Sequence, residues 1–158
     1  MRTDNREIKN TIISIYFILI IAAILLATVF KSYHLVEGSS LYVLIGLLVA
    51  VVVVHFVARF FEYDSDGAQV IITNSGLILT DYLNYRENKI EISREKLSGY
   101  KIRNYYFYKS LVIYVSHSNG KIEKEHFNIT LLKYKKVKYV RQSLRKIIKE
   151  NKSIKLDR

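Results

Sequence analysis

The chain has 158 residues, 25 Lys and Arg against 14 Asp and Glu, and a formal net charge of +11 at pH 7. That length holds one membrane unit and one small domain and leaves no room for a second globular domain. Because the chain contains no cysteine, disulfides, thiolate metal sites and cysteine nucleophiles are excluded, and nothing requires an oxidising compartment.

Residues 12–30 carry no charge, and thirteen of these 19 are Ile, Leu, Phe or Val. About 20 apolar residues suffice for a helix to cross ~30 Å of hydrocarbon, and each such residue contributes ~0.3 to 0.6 kcal/mol to insertion at the helix centre. A first transmembrane helix is therefore expected over about 11–30, and a second over 41–61, where residues 41–58 again hold thirteen such side chains and a single ionisable group, His55. Between them, residues 31–40 form a polar connector with Gly38, Ser39 and Ser40. A cleaved signal peptide is the rival reading of the first helix. Its apolar core exceeds the roughly 7 to 15 residues usual for a signal peptide, and no clean small-x-small site precedes the connector. Arg2, Arg6 and Lys9 before the first helix and Arg59 after the second outweigh Lys31 in the connector. Both termini are accordingly expected to be cytoplasmic. His55 reads as an interfacial residue one turn before Arg59, and Phe56, Phe60, Phe61 and Tyr63 as an aromatic belt; Gly46 and Ala50 give a weak small-xxx-small packing signal.

After Glu62 to Gly67 the periodicity changes, which sets the expected division into a hairpin of residues 1–61 and a basic domain of 62–158. The domain holds 20 basic and 11 acidic side chains, a formal +9, and so favours anionic partners. Strands are expected over 68–73 and 77–82, joined by a turn at Asn74-Ser75-Gly76, then over 89–92, 100–107, 111–116 and 121–129, with a tight turn at Asn119-Gly120. Tyr134, Val137, Val140, Leu144 and Ile147 recur at spacings of three and four, flanked by Leu131 and Ile148. They predict an amphipathic helix over about 131–150, with Thr130 as N-cap and a frayed end at 151–153.

Three segments carry a family likeness: Ile71 to Leu79, Ile92 to Arg103 and Lys109 to Tyr114, followed by the closing helix. Over about residues 68–150 the pattern resembles the bacterial pleckstrin-homology-like (PH-like) domain found in small membrane proteins with two leading transmembrane helices. The resemblance implies an α+β membrane protein: a transmembrane hairpin, then a small antiparallel PH-like sheet or partial barrel closed by a C-terminal amphipathic helix. It also implies a binding or scaffolding module more than an enzyme. The loop Asn74-Ser75-Gly76 carries no Lys or Arg, which argues against inositol-lipid specificity.

No phosphate-binding glycine loop, nucleophile elbow or metal-ligand spacing is visible; His34, His55, His117 and His126 lie in separate segments, and Glu123 and Glu125 read as cross-strand partners near Lys121. No catalytic residue, metal or cofactor is assigned. Two surfaces remain. The run Tyr100 to Lys109 interleaves bases with aromatics and offers Lys101, Arg103, Tyr106 and Tyr108. Residues 130–158 hold eleven Lys or Arg, of which Lys136, Arg141, Arg145 and Lys149 are expected to face a negative surface. Lys133, Lys135 and Lys136 lie near the helix N-terminus, where the dipole disfavours cations. The expected function is a non-enzymatic, multi-pass interaction or scaffold module of the bacterial inner membrane, near an anionic leaflet, with a protein partner in the membrane. Homo-oligomers are compatible with this. The alternatives are an immunity or defence protein that neutralises a membrane-targeted toxin and, third, a nucleic-acid binder, which the missing recognition-helix motif disfavours.

Overall fold

The computed structural model describes residues 1–32, 39–77 and 88–156. The chain is α+β. Its described elements are β1 (Arg2–Asp4), α1 (Arg6–Ser32), α2 (Ser39–Val57), β2 (Arg59–Asp64), β3 (Gln69–Gly76), β4 (Asn88–Ser93), a 3-10 turn (Arg94–Lys96), β5 (Leu97–Asn104), β6 (Lys109–Ser116), β7 (Ile122–Asn128) and α3 (Tyr134–Leu156). One antiparallel sheet has the order β1-β2-β3-β4 and the other β5-β6-β7; they do not close into a barrel.

The N-terminal helix is long and apolar enough to cross a membrane over Arg6–Val29, and the apolar stretch of α2, Tyr42–Phe56, is shorter. Both expose large side chains, among them Phe17, Ile18, Leu25, Leu48, Val52 and Phe56. Contiguous exposed apolar side chains of this kind are a feature of surfaces that contact lipid or another protein.

The helix expected to run to 61 ends at Val57 instead. Phe61 and Tyr63 are two apart and both fully buried. A strand places such a pair on one face, whereas a helix would place them on opposite sides. They are core residues of β2 and not a membrane-interface belt. The unexpected strand β1 pairs with β2, Arg2 opposite Asp64 and Asp4 opposite Glu62.

The expected turn at Asn74-Ser75-Gly76 is strand: β3 runs through it, with Asn74 opposite Phe61 and Gly76 opposite Arg59. Val70, Ile72 and Asn74 alternate into the interior, so the asparagine side chain is used as a buried crosslink and not as a turn former. Residues 78–82 of the strand expected next, and residues 33–38 of the connector including His34, lie outside the described residues. In the second sheet β5 ends at Asn104, earlier than expected, and Gly120 supplies the positive φ (78°) of the β6–β7 turn.

Helix α3 starts at Tyr134 and continues to Leu156. Val137, Val140, Leu144 and Ile147 are buried as the stripe predicts, but Tyr134 is exposed. Thr130 does not cap the helix; its Oγ1 accepts from the Lys109 N–H (3.0 Å) at the edge of β6. The end expected to fray is pinned, because Asn151 Nδ2 donates to the carbonyls of Arg94 (2.6 Å) and Leu97 (2.9 Å). The core lies between the sheets and α3, built on Phe61, Tyr63, Ile72, Leu111, Phe127 and Leu144.

Candidate membrane-facing surface

Two buried asparagines define one end of the domain, the end at which α1 leaves and α2 returns. Asn5, 2% exposed, precedes α1 and bonds across to the segment that follows α2. Its Nδ2 donates to the Arg59 carbonyl (2.9 Å), its Oδ1 accepts from the Phe61 N–H (2.9 Å), and its own N–H donates to the Phe61 carbonyl (3.2 Å). The same residue's carbonyl accepts from Ile8 and Lys9 and opens the helix. The free first-turn amide of Arg6 donates to Asp4 Oδ1 (3.0 Å). Strand and helix are thus tied at a single residue.

Asn74 joins the two sheets at that end. Its Nδ2 donates to the carbonyls of Phe60 (2.9 Å) and Asn128 (3.0 Å), and its Oδ1 accepts from the Asn128 N–H (3.1 Å). Asn128 stands opposite Ser110, and the Ile129 N–H donates to the Lys109 carbonyl (2.9 Å). The β5–β6 turn, residues 105–108, follows immediately and is closed by the Tyr105 N–H on the Tyr108 carbonyl (2.7 Å). Tyr106 is 102% exposed and Phe107 82%. Lys101 and Arg103 are exposed on β5, two residues apart and hence on one face. Of the sequence candidates, the structure therefore places Tyr106 and Tyr108 in the turn at the helix-pair end and Arg103 next to it, opposite Ser110, with Lys101 two residues further along β5, opposite Val112.

The basic helix divides differently. Lys136 is only 25% exposed, and its ammonium donates to the Asp4 carbonyl (2.8 Å) with Glu7 at 3.5 Å. Lys133 meets Glu7 at 2.7 Å. Lys136 is thus engaged inside the domain and does not face outward as expected, and Glu7 offsets the cations at the helix N-terminus. Arg141, Arg145 and Lys149 are exposed, and with Lys138 the two arginines line a shallow groove of about 210 Å³. They lie along a helix that leads away from Glu7 toward Arg94 and Leu97, at the far end of the first sheet. At ~1.5 Å per residue, Lys149 is ~20 Å further along the axis than Lys136.

A polar pocket of about 360 Å³ at that far end is lined by Met1, Ser65, Asp66, Arg94, Ser143 and Lys146, among others. Ser143 Oγ lies 2.9 Å from both Tyr63 Oη and Ser65 Oγ, while Arg94 bonds the Ser65 carbonyl and the N-terminal amine meets Asp66. Burial pushes the Tyr63 phenol above its ordinary value. His117 Nε2 pairs with Glu123 Oε2 (2.8 Å) on the exposed edge of the β6–β7 hairpin. Among the described residues no cluster of three or more His, Cys, Asp or Glu could hold a metal ion. Comparison of the chain with protein-family models, curated proteins and solved structures finds no match.

Proposed function

We propose that this chain is a non-enzymatic interaction module anchored in the bacterial cytoplasmic membrane by α1 and α2. Both termini and the basic domain lie at the anionic cytoplasmic leaflet, where the domain offers a surface to a protein partner in the membrane. The observation that carries this reading is the pairing of β1 with β2 across the helix pair. Residues 2–4 and 62–64 are hydrogen-bonded neighbours in one sheet, so the chain between them crosses a membrane an even number of times. A crossing by α1 requires a return by α2, whose 19 residues reach ~28 Å although its apolar stretch, Tyr42–Phe56, is shorter than that of α1. The same pairing favours an anchor over a removable leader, because cleavage after α1 strips an edge strand and the Asn5 bonds from the sheet. Arg2, Arg6, Lys9 and Arg59 all fall at the domain end, which favours the cytoplasmic side. The PH-like likeness of the domain is part of this proposal; the structure itself shows the coarser α+β arrangement, two antiparallel sheets followed by an amphipathic helix.

The absence of cysteine makes single introduced cysteines unique labels. In intact cells a membrane-impermeant maleimide is expected to label Ser39→Cys directly and Ser118→Cys only after permeabilisation. Direct labelling of Ser118→Cys in intact cells refutes the orientation. Cross-linking in native membranes is expected to capture a distinct membrane protein, and recovery of the chain alone refutes the partner role.

A further inference from the structure

Resting on that membrane reading, we propose that the aromatic turn 105–108 is a second, shallow contact with the bilayer: Tyr106 and Phe107 seat among the headgroups of an anionic membrane while Lys101 and Arg103 meet lipid phosphates.

The turn has no part in the core. Tyr106 and Phe107 are almost wholly solvent-accessible, and Tyr105 is 55% exposed. The turn is nevertheless a defined structure, closed by its own backbone bond, with the Tyr106 and Phe107 rings 6.2 Å apart. Apolar rings at a turn tip lower the free energy only when something covers them.

Position says what covers them. From the turn, Lys109 leads to the Asn128 end of β7, Asn128 bonds Asn74, and Asn74 bonds the carbonyl of Phe60, three residues after α2 ends. The turn is thus at the end of the domain from which both apolar helices depart. A surface at that end lies beside the bilayer whenever the helices are inserted, so the lipid interface is already at high local concentration. Chemistry agrees with place: tyrosine and phenylalanine beside exposed Lys and Arg match an interface of apolar chains, polar headgroups and negative charge. By contrast, Arg145 and Lys149 lie well down a helix leading to the opposite end, beyond the ~8 Å over which charge acts at physiological salt.

The chain contains no tryptophan, so one introduced indole reports one place. The full chain carrying Phe107→Trp is reconstituted in vesicles of phosphatidylcholine and phosphatidylglycerol, with or without lipids brominated high on the acyl chain. Phe17→Trp, on the exposed face of α1, reports insertion, and Ile122→Trp, at the other end of the second sheet, reports solvent. Brominated lipid is expected to cut the Phe107→Trp emission by about half, as for an interfacial ring, while aqueous iodide is excluded; Ile122→Trp should show the reverse. Adding Lys101→Gln and Arg103→Gln, or removing the anionic lipid, should restore iodide access. If Phe17→Trp is quenched by bromine but Phe107→Trp is as open to iodide as Ile122→Trp, the inference is overturned and the anchor stands. Shielding from iodide without bromine quenching also overturns it, because a second copy or another protein then covers the turn. An unquenched Phe17→Trp overturns the anchor and the inference together.

Discussion

Replacing Asn5 by Ala tests whether the strand that precedes the helix pair is bound to the strand that follows it. The substitution removes the bond from Nδ2 to the Arg59 carbonyl and the acceptor of the Phe61 N–H, at a residue 2% exposed. A net hydrogen bond contributes about 0.5 to 1.5 kcal/mol, and a buried donor left unpaired costs about 1 to 3 kcal/mol, so the expected loss is about 2 to 4 kcal/mol. The backbone bonds from Asn5 into α1 remain, which confines the damage to the join between β1 and β2. Hydrogen exchange of the full chain in lipid nanodiscs reads this directly: the Phe61 amide and residues 2–4 should exchange about a hundredfold faster, while β6 keeps its protection. Asn5→Asp retains an acceptor for Phe61 but sets a carboxylate oxygen against the Arg59 carbonyl, and should also destabilise the join. Exchange of Asn5→Ala within about twofold of the parent would refute the reasoning, because the node would then carry no load in the folded state.

Asn74→Ala removes three bonds from a buried residue joining the two sheets and should destabilise the full chain in detergent by about 2 to 4 kcal/mol in a denaturant titration, whereas Asn119→Ala in the exposed β6–β7 turn should change it by less than about 1 kcal/mol. Asn151→Ala removes two bonds from the last turns of α3 to Arg94 and Leu97 and should raise amide exchange over residues 150–156 about tenfold or more, leaving the first turns unaffected. Because Arg141, Arg145 and Lys149 are exposed on a helix leading away from the helix-pair end, changing all three to Gln should leave the bromine quenching of Phe107→Trp unaltered in anionic vesicles; a fall comparable to that caused by Lys101→Gln with Arg103→Gln would show that α3 contacts the lipid after all.

The elements most legible in the sequence are those whose periodicity is local. Residues 12–30 carry an unbroken apolar run, and Val137, Val140, Leu144 and Ile147 mark one helical stripe; both patterns are set by neighbours within a few turns. The pairs at 109–116 and 122–128 are equally local, because Asn119-Gly120 fixes a turn whose positive φ glycine adopts without cost. Of the candidate surface residues, Lys101 and Arg103 are found exposed where strand alternation puts them, Tyr106 stands in a turn where strand was expected, and Lys136 is only 25% exposed.

The failures share one cause. Asn74-Ser75-Gly76 has the composition of a turn, and Phe60 and Phe61 continue an apolar helix in texture, so local preference gave the wrong state at both. Their strand conformation depends on pairing with each other, and β1 depends on β2 some sixty residues away. Such pairs leave almost no trace in a three-residue segment like Arg2–Asp4, because its stabilisation comes from a partner strand and not from its own side chains. Lys136 is the electrostatic counterpart: a lysine on the polar side of a helix reads as solvated until Asp4 and Glu7 are brought beside it. The sequence by itself determined an apolar N-terminal helix, a basic α+β domain and an amphipathic closing helix, since burial of apolar side chains dictates periodicity within each element. Only the tertiary structure decided that residues before the helix pair complete the sheet after it and that the aromatic turn stands at that same end, because hydrogen bonds between distant strands follow from topology and not from local composition.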